Sequence, residues 1–172
     1  MQNGRVTNAL IRRIAAADAG RARALRLEML ADTPMAFITT LAEAAERPHA
    51  DFAGFVQKCS TGTQNAIFVA VAGRRIVGQA GGAVHPASKD KTMLYAVYVS
   101  PEFRGNGVLE GLVDAVAQWS REAGRPTLEL EVVTSNTRAW KAYRRLGFEP
   151  TGEPVAHPTV PVLREQVFTR PA

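Results

Sequence analysis

Four residues, Arg104-Gly105-Asn106-Gly107, make a basic, glycine-rich turn between an apolar run and an amphipathic stretch. The run before it carries Leu94, Tyr95, Val97, Tyr98 and Val99 and is closed by Ser100-Pro101. The stretch after it places Val108, Leu112, Val113, Val116 and Trp119 at helical spacing. Strand, glycine turn and helix together form an anion-binding geometry. Glycines let the backbone turn tightly and approach a ligand, and the first N–H groups of a helix have no internal partner. The helix dipole adds attraction for negative charge, so phosphate or pyrophosphate suits this stretch. It is not a Walker loop, because no Gly-Lys-Ser/Thr occurs. It is not the G-x-G-x-x-G dinucleotide pattern either, because Glu110 holds the third glycine's position.

A second group of residues follows on the next two elements. Thr127 to Val133 reads as a strand, and Asn136 can cap a helix over Thr137 to Leu146 that carries Tyr143. A tyrosine is protonated at neutral pH, with a reference pKa near ~10, and can donate a proton to a departing anion. Glu129 and Glu131 alternate with Leu128, Leu130 and Val132, so they are either candidate general bases or a solvated strand face. His85 is a third candidate base, and the preferred route for the proton is a water wire running from the amine past backbone carbonyls.

These groups need a scaffold, and the composition describes an ordinary one. With 172 residues, 46% hydrophobic and 22% charged, the chain is expected to fold as a single domain spanning 1–172. No apolar run approaches the ~20 residues of a membrane span. Met1 to Val6 carries no apolar signal segment, so the cytoplasm is the expected residence. One cysteine, Cys59, excludes an internal disulfide framework and reads as a buried small hydrophobe. The formal charge of +5 favours anionic ligands, but the basic residues are scattered and lack an aromatic stacking platform. Nucleic acid is therefore not an expected partner, and zinc-type Cys/His spacing is absent, so no metal is expected.

Taken in order, Ala9 to Ile14 reads as a strand and Ala16 to Ala31 as a helix stopped by Asp32-Thr33-Pro34. Thr40 with Glu43 fits a capping box for a second helix, and a third runs from near Pro48 to Cys59. Ile67 to Val71 and Ile76 to Val84 form a hairpin across Ala72-Gly73-Arg74-Arg75. His85 to Lys91 reads as a polar loop, 92–99 as the strand entering the glycine turn, and Ala123-Gly124 as the end of the long helix. Val160 to Thr169 alternates like an edge strand. The hairpins imply antiparallel pairs, and the helical crossover implies a parallel pair between 92–99 and 127–133. The expected fold is α+β (mixed α/β), a mostly antiparallel sheet with helices on both faces. Its ligand site is expected at the carboxyl ends of the parallel pair.

Arg104, Gly105 and Gly107 resemble the acyl-CoA signature of the GNAT superfamily of N-acetyltransferases, R/Q-x-x-G-x-G/A, with Leu109 standing where that family has Gly or Ala. Leu130, Val132, Asn136, Ala139, Tyr143, Gly147 and Phe148 match its second signature, L-x-V-x-x-x-N-x-x-A-x-x-x-Y-x-x-x-G-F, at every spacing. The resemblance covers roughly residues 9 to 169. It implies a splayed pair of strands at 92–99 and 127–133 and transfer of an acetyl group from acetyl-CoA directly to a primary amine. The amine belongs to a small molecule or to a protein or peptide. It further implies that main-chain groups of Val97 and Val99 hold the pantetheine arm and thioester. The N–H groups of Arg104, Gly105, Gly107, Val108 and Leu109 then bind the pyrophosphate, Asn136 contacts the cofactor, and Tyr143 protonates the thiolate.

Many relatives place a Glu on the strand before the glycine turn; Met93 to Val99 holds no acid. Phe37, Glu43, Glu46, His49 and Phe52, with the loop bearing His85, either wall an acceptor pocket suited to a cationic amine or, for Glu43, only cap a helix and, for the phenylalanines, only pack the core. The alternative function is a non-catalytic acyl-CoA-binding sensor or assembly module on the same fold. A homodimer is expected through the exposed edge at Val160 to Thr169.

Overall fold

In a computed structural model, which describes residues 9–172, the chain forms one seven-stranded sheet with helices on both faces. Met1 to Val6, read above for a targeting signal, lies outside the described residues. The chain runs β1 (Leu10–Arg13), α1 (Ala19–Asp32), α2 (Leu41–Glu46), α3 (His49–Thr61), β2 (Asn65–Ala72), β3 (Arg75–His85) and β4 (Ser88–Val99). It continues through α4 (Val108–Glu122), β5 (Thr127–Val133), α5 (Thr137–Arg145), β6 (Glu149–Ala156) and β7 (Arg164–Pro171). The strand order is β1-β2-β3-β4-β5-β7-β6, and every neighbouring pair is antiparallel except β4 with β5.

Turn chemistry and helix caps explain these limits. Gly73, at φ +58°, lets Ala72 pair directly with Arg75, so β2 and β3 meet through a tight hairpin. Gly124 (φ +73°) and Gly147 (φ +83°) occupy the left-handed positions after α4 and α5. The capping box of α2 forms as its sequence predicts: Glu43 N donates to Thr40 Oγ1 at 3.2 Å, and Thr40 N donates to Glu43 Oε2 at 2.8 Å.

Two apolar layers sandwich the sheet. On one face Leu112, Val113 and Val116 of α4 pack on Val77, Ala80, Leu128, Leu130 and Phe168. On the other, Leu25 and Met29 of α1 with Val56 and Cys59 of α3 pack on Ile67, Val69 and Ile76. Cys59 is buried and reduced, and its removal from water pushes the thiol pKa up, which fits a packing residue. Among the described residues, no helix is long and apolar enough to cross a membrane.

Three expectations are corrected. The terminal strand is not an edge: β7 pairs with β5 on one side and with β6 on the other, so the edge argument for a homodimer loses its basis. The true edge there, β6, was absent from the sequence reading because Pro150, Gly152 and Pro154 argue against a strand. Proline is tolerated only where an N–H is not needed by a neighbour, and an edge supplies that. Finally, His85 to Lys91 is not a loop, since His85 pairs with Ser88 and both strands of the hairpin extend into it.

Asp18 pins β1 to the start of α1. It is 1% exposed and takes a two-pronged contact from Arg12, at 2.6 and 2.9 Å, the Ala15 N–H at 2.8 Å, and Arg21. The hydrogen bonds from Arg12 outweigh desolvation and hold its carboxyl far below the usual carboxylate range. A depressed folded-state pKa stabilises above the unfolded value of about 4 and is lost as pH falls through the folded value. Asp18→Ala should therefore cost about 3 kcal/mol at neutral pH, lowering Tm by roughly 6–12 °C. The deficit against the native chain should narrow in strong acid. Thermal denaturation across pH reads both, and an unchanged Tm at pH 7 would contradict the assignment.

Candidate active site

β4 and β5 run together only briefly. Lys91, Thr92 and Met93 pair with Thr127, Leu128 and Glu129, and beyond that point the strands diverge. The cause lies on the other side of β4. Gln79 of β3 pairs with Tyr98 and Gly81 with Tyr95, so Ala96 and Val97 share the place opposite Ala80. This is a bulge, which bends a strand and re-aims its groups. Ala96 sits at φ +49°, a conformation costing a non-glycine residue about 1–2 kcal/mol. The buried Gln79 side chain holds it there, donating from Nε2 to the Ala96 carbonyl at 3.1 Å. Tyr95 locks the other flank, its ring so close to Gly81 that a Cβ there would lie 2.5 Å away.

A cleft of about 610 Å³ opens between the diverging strands, within the range of small-molecule sites. Val97 and Val99 line it from β4, and Leu130 to Val133 line it from β5. Beyond Met93 the β4 main chain has no strand partner on that side, which leaves groups such as those of Val97 open to a bound molecule, while the Val99 carbonyl accepts from Arg104 Nε.

The glycine turn closes one end. Gly105 (φ +76°) and Gly107 (φ +77°) both take left-handed conformations, and no side chain caps α4. The first intrahelical bond at this end is Gly111 N to Gly107 O at 3.0 Å, which leaves the N–H groups of Val108, Leu109 and Glu110 without helical partners. Arg104 is not a free cation. Its Nε donates to the Val99 carbonyl at 2.8 Å, its Nη2 meets Asp32, and its guanidinium lies 5.5 Å from the Tyr98 ring centre. The side chain therefore ties β4 to the end of α1, and the Arg104 N–H, expected at the pyrophosphate, donates instead to the Pro101 carbonyl at 3.3 Å, so the turn offers a ligand the N–H groups that follow it. Val108 points inward and is buried, whereas Arg104, Gly105 and Leu109 line the cleft.

Tyr143 stands on α5 at the opposite wall, edge-on to Phe148 with ring centres 5.6 Å apart. Its removal from water pushes the phenol pKa well above its ordinary value, and its hydroxyl has no partner among the described residues. Asn136 caps α5, its Oδ1 accepting from Ala139 N at 3.1 Å, and also lines the cleft.

The remaining candidates are distributed unevenly. Phe37 and Glu131 line the cleft. Glu129 lies near the closed end of the strand pair, 2.9 Å from Lys91 Nζ and 3.1 Å from His85 Nε2, outside the lining. His85 is thus a close neighbour of Glu129 and lies outside the cleft lining. Glu43 is an exposed capping residue, and His49 is exposed at the start of α3.

Two lining residues escaped the sequence reading. Glu165 of β7 pairs with Val133, and Glu131 pairs with Val167; cross-strand partners share a face, so both carboxylates lie on one side of the sheet. Glu165 is only 9% exposed, and desolvation followed by the Glu131 charge raises its carboxyl pKa, partly opposed by His157. His157 Nδ1 accepts the N–H groups of Thr159 and Val160, so its proton sits on Nε2, 3.6 Å from Glu165 Oε1. The signal was available in sequence only after β7 was placed beside β5. The second residue, Arg26, sits inside the buried stripe of α1 between Ala22, Leu25 and Met29, where a cation is out of place.

The comparisons agree with this geometry. Residues 27–148 match the Acetyltransferase (GNAT) family, and the chain belongs to that family. Among curated proteins it is 29% identical over 108 residues to N-acetyltransferase 8B of Rattus norvegicus, covering 61% of this chain and 49% of that protein. The chain thus spans about half the length of the first curated relatives it matches. Among solved structures, a GNAT-family acetyltransferase from Streptococcus pneumoniae superposes with a TM-score of 0.78 at 17% identity, over 95% of this chain and 99% of that one. The yncA protein of Salmonella typhimurium, solved with its cofactor acetyl-CoA, gives 0.77 at 15% identity, over 95% and 94%. At these identities the two structures establish the fold, a mixed sheet with one parallel pair and helices on both sides.

Proposed function

We propose that this chain transfers an acetyl group from acetyl-CoA directly to a primary amine of a small molecule or peptide. The observation that carries the reading is the Ala96 bulge. It opens an unpaired β4 edge that leads straight into the left-handed glycine turn, with the Tyr143 hydroxyl on the facing wall. The fit to acetyl-CoA is chemical. Val97 and Val99 offer main-chain groups to an amide-bearing arm, and the N–H groups from Gly107 to Leu109 offer donors to a diphosphate. Leu109 keeps its N–H, and its side chain packs partly against the core while also lining the cleft.

In the reaction the amine lone pair attacks the thioester carbonyl, the C–S bond breaks, and the thiolate takes a proton. A β4 main-chain N–H stabilises the oxyanion, and Tyr143 supplies the thiolate proton. The amine's own proton leaves toward Glu165, beside Glu131, because both carboxylates face the cleft and Glu165 is tuned towards proton uptake.

Thermal unfolding with acetyl-CoA, and with NADH and ATP as controls, tests the cofactor. At ~100 times its dissociation constant a ligand adds about 2.7 kcal/mol, a Tm rise of roughly 5–10 °C. Thiol release with an amine panel tests turnover. A shift specific to acetyl-CoA with amine-dependent thiol release is the expected result; no shift, or a shift without turnover on any amine, overturns the reading.

A further inference from the structure

Behind the Ala96 bulge lies a second cavity of about 160 Å³, lined among others by Arg26, Arg47, Phe52, Phe55, Tyr95 and Ala96. Arg26, Tyr95 and Ala96 line the main cleft as well, so the small cavity adjoins the place where the acetyl carbonyl would lie. The lining of the small cavity contains two guanidinium groups and no carboxylate. Arg47 is exposed and lies about 6 Å from the ring centres of Phe52 and Phe55.

Arg26 is the anomaly. Other arginines drawn away from water find an oxygen partner: Arg12 meets Asp18, Arg104 meets Asp32, Arg13 donates to the Cys59, Gly62 and Asn65 carbonyls, and Arg125 donates to Thr92 Oγ1. Arg26 has no carboxylate within 4 Å among the described residues, only the Met29 sulfur at 3.9 Å and the face of Phe37 at 5.6 Å. Burial, and then the Arg47 charge, lower its pKa, which is the signature of an uncompensated cation. A guanidinium stays charged regardless. A ring face returns only part of the cost of drying it, so an anion from outside is the natural partner. A planar guanidinium matches a carboxylate through paired hydrogen bonds.

We propose that the acceptor carries a carboxylate beside its amine, an amino-acid head group, and that Arg26 binds this carboxylate in the cavity behind Ala96 with Arg47 adding to the field. The inference rests on the N-acetyltransferase reading and names the substrate class of that same cleft. It also replaces the expectation of a purely cationic amine, since the wall of α1 is positive while Glu131 and Glu165 make the β5–β7 wall negative. A cleft with both signs suits an acceptor that carries both. The ammonium end faces the carboxylate that removes its proton, and the carboxylate end faces Arg26.

The test uses L-amino acids and the amines made by removing their carboxyl group, with acetyl-CoA and the full chain. Turnover should favour the carboxylated member of each pair by about 30-fold or more in kcat/KM. Arg26→Met should erase that preference by slowing the amino acids and sparing the decarboxylated amines. Arg26→Lys should restore part of it, and the acetyl-CoA thermal shift should stay unchanged in both variants. Equal turnover within the pairs, or equal loss on both members in Arg26→Met, overturns the proposal. If no amine of either kind is acetylated, the enzymatic reading fails, and calorimetry on the CoA-loaded chain then decides the subsite. Amino acids binding only with Arg26 present supports it; no binding, or binding indifferent to Arg26→Met, overturns it.

Discussion

Tyr143→Phe should lower kcat by about 10²- to 10³-fold while acetyl-CoA affinity stays within about twofold. The variant removes one oxygen and keeps the ring, so the edge-on contact with Phe148 survives and α5 has no reason to move. What it loses is the hydroxyl of a cleft-lining residue, which has no hydrogen-bond partner among the described residues. Its removal should therefore leave stability about unchanged. That separates catalysis from packing, because a packing tyrosine would show the same kcat after replacement. Burial also raises the phenol pKa, so the proton remains in place across the working pH range and kcat should show no tyrosine limb below pH 9. Stopped-flow thiol release and the thermal shift with acetyl-CoA measure the two halves. Full turnover in Tyr143→Phe would remove the donor role.

The glycine turn was legible because its meaning is local. Gly105 and Gly107 each need a left-handed backbone, and a helix begins where Val108 starts the apolar face. The Asn136 cap and Tyr143 were legible for the same reason, since spacing within one helix fixes which residues share a face. The bulge at Ala96 was not. It depends on Gln79 reaching across from β3 and on Tyr95 lying over Gly81, both contacts between strands that only a register reveals. β6 was hidden by its own prolines, and with it the fact that β7 lies inside the sheet. Losing that neighbour relation concealed Glu165, whose place beside Glu131 follows from pairing and not from spacing.

Arg26 shows a different limit. The α1 stripe of Ala22, Leu25 and Met29 is readable as a core face, and a cation within it reads as an ordinary solvated residue until its surroundings are known. Arg104 misleads in the opposite direction. It belongs to the phosphate-turn pattern, yet its guanidinium is spent on Asp32, Val99 and Tyr98, inside the protein. Charge in a motif and charge offered to a ligand are separate properties, and only partners distinguish them.

Glu165→Gln should cut kcat/KM by about 10²-fold at neutral pH without lowering stability. A carboxyl whose folded pKa is raised binds protons more tightly in the folded chain than in the unfolded one. Its ionised form therefore weakens folding above the unfolded pKa of about 4. Glutamine removes that charge in nearly the same volume, so Tm at pH 7 should hold or rise. The rate should move the other way. A base works when ionised, so native kcat/KM should climb with pH through a value above the ordinary carboxylate range, and Glu165→Gln should flatten that climb. Glu131→Gln, which removes the like charge that helps raise the Glu165 pKa, should shift the climb to lower pH with a smaller loss of rate. A merely structural pair would instead show a lowered Tm with an unaltered pH profile. Should Glu165→Gln keep its acid limb, the proton leaves by another group, and the two carboxylates would serve only to hold the ammonium end of the acceptor.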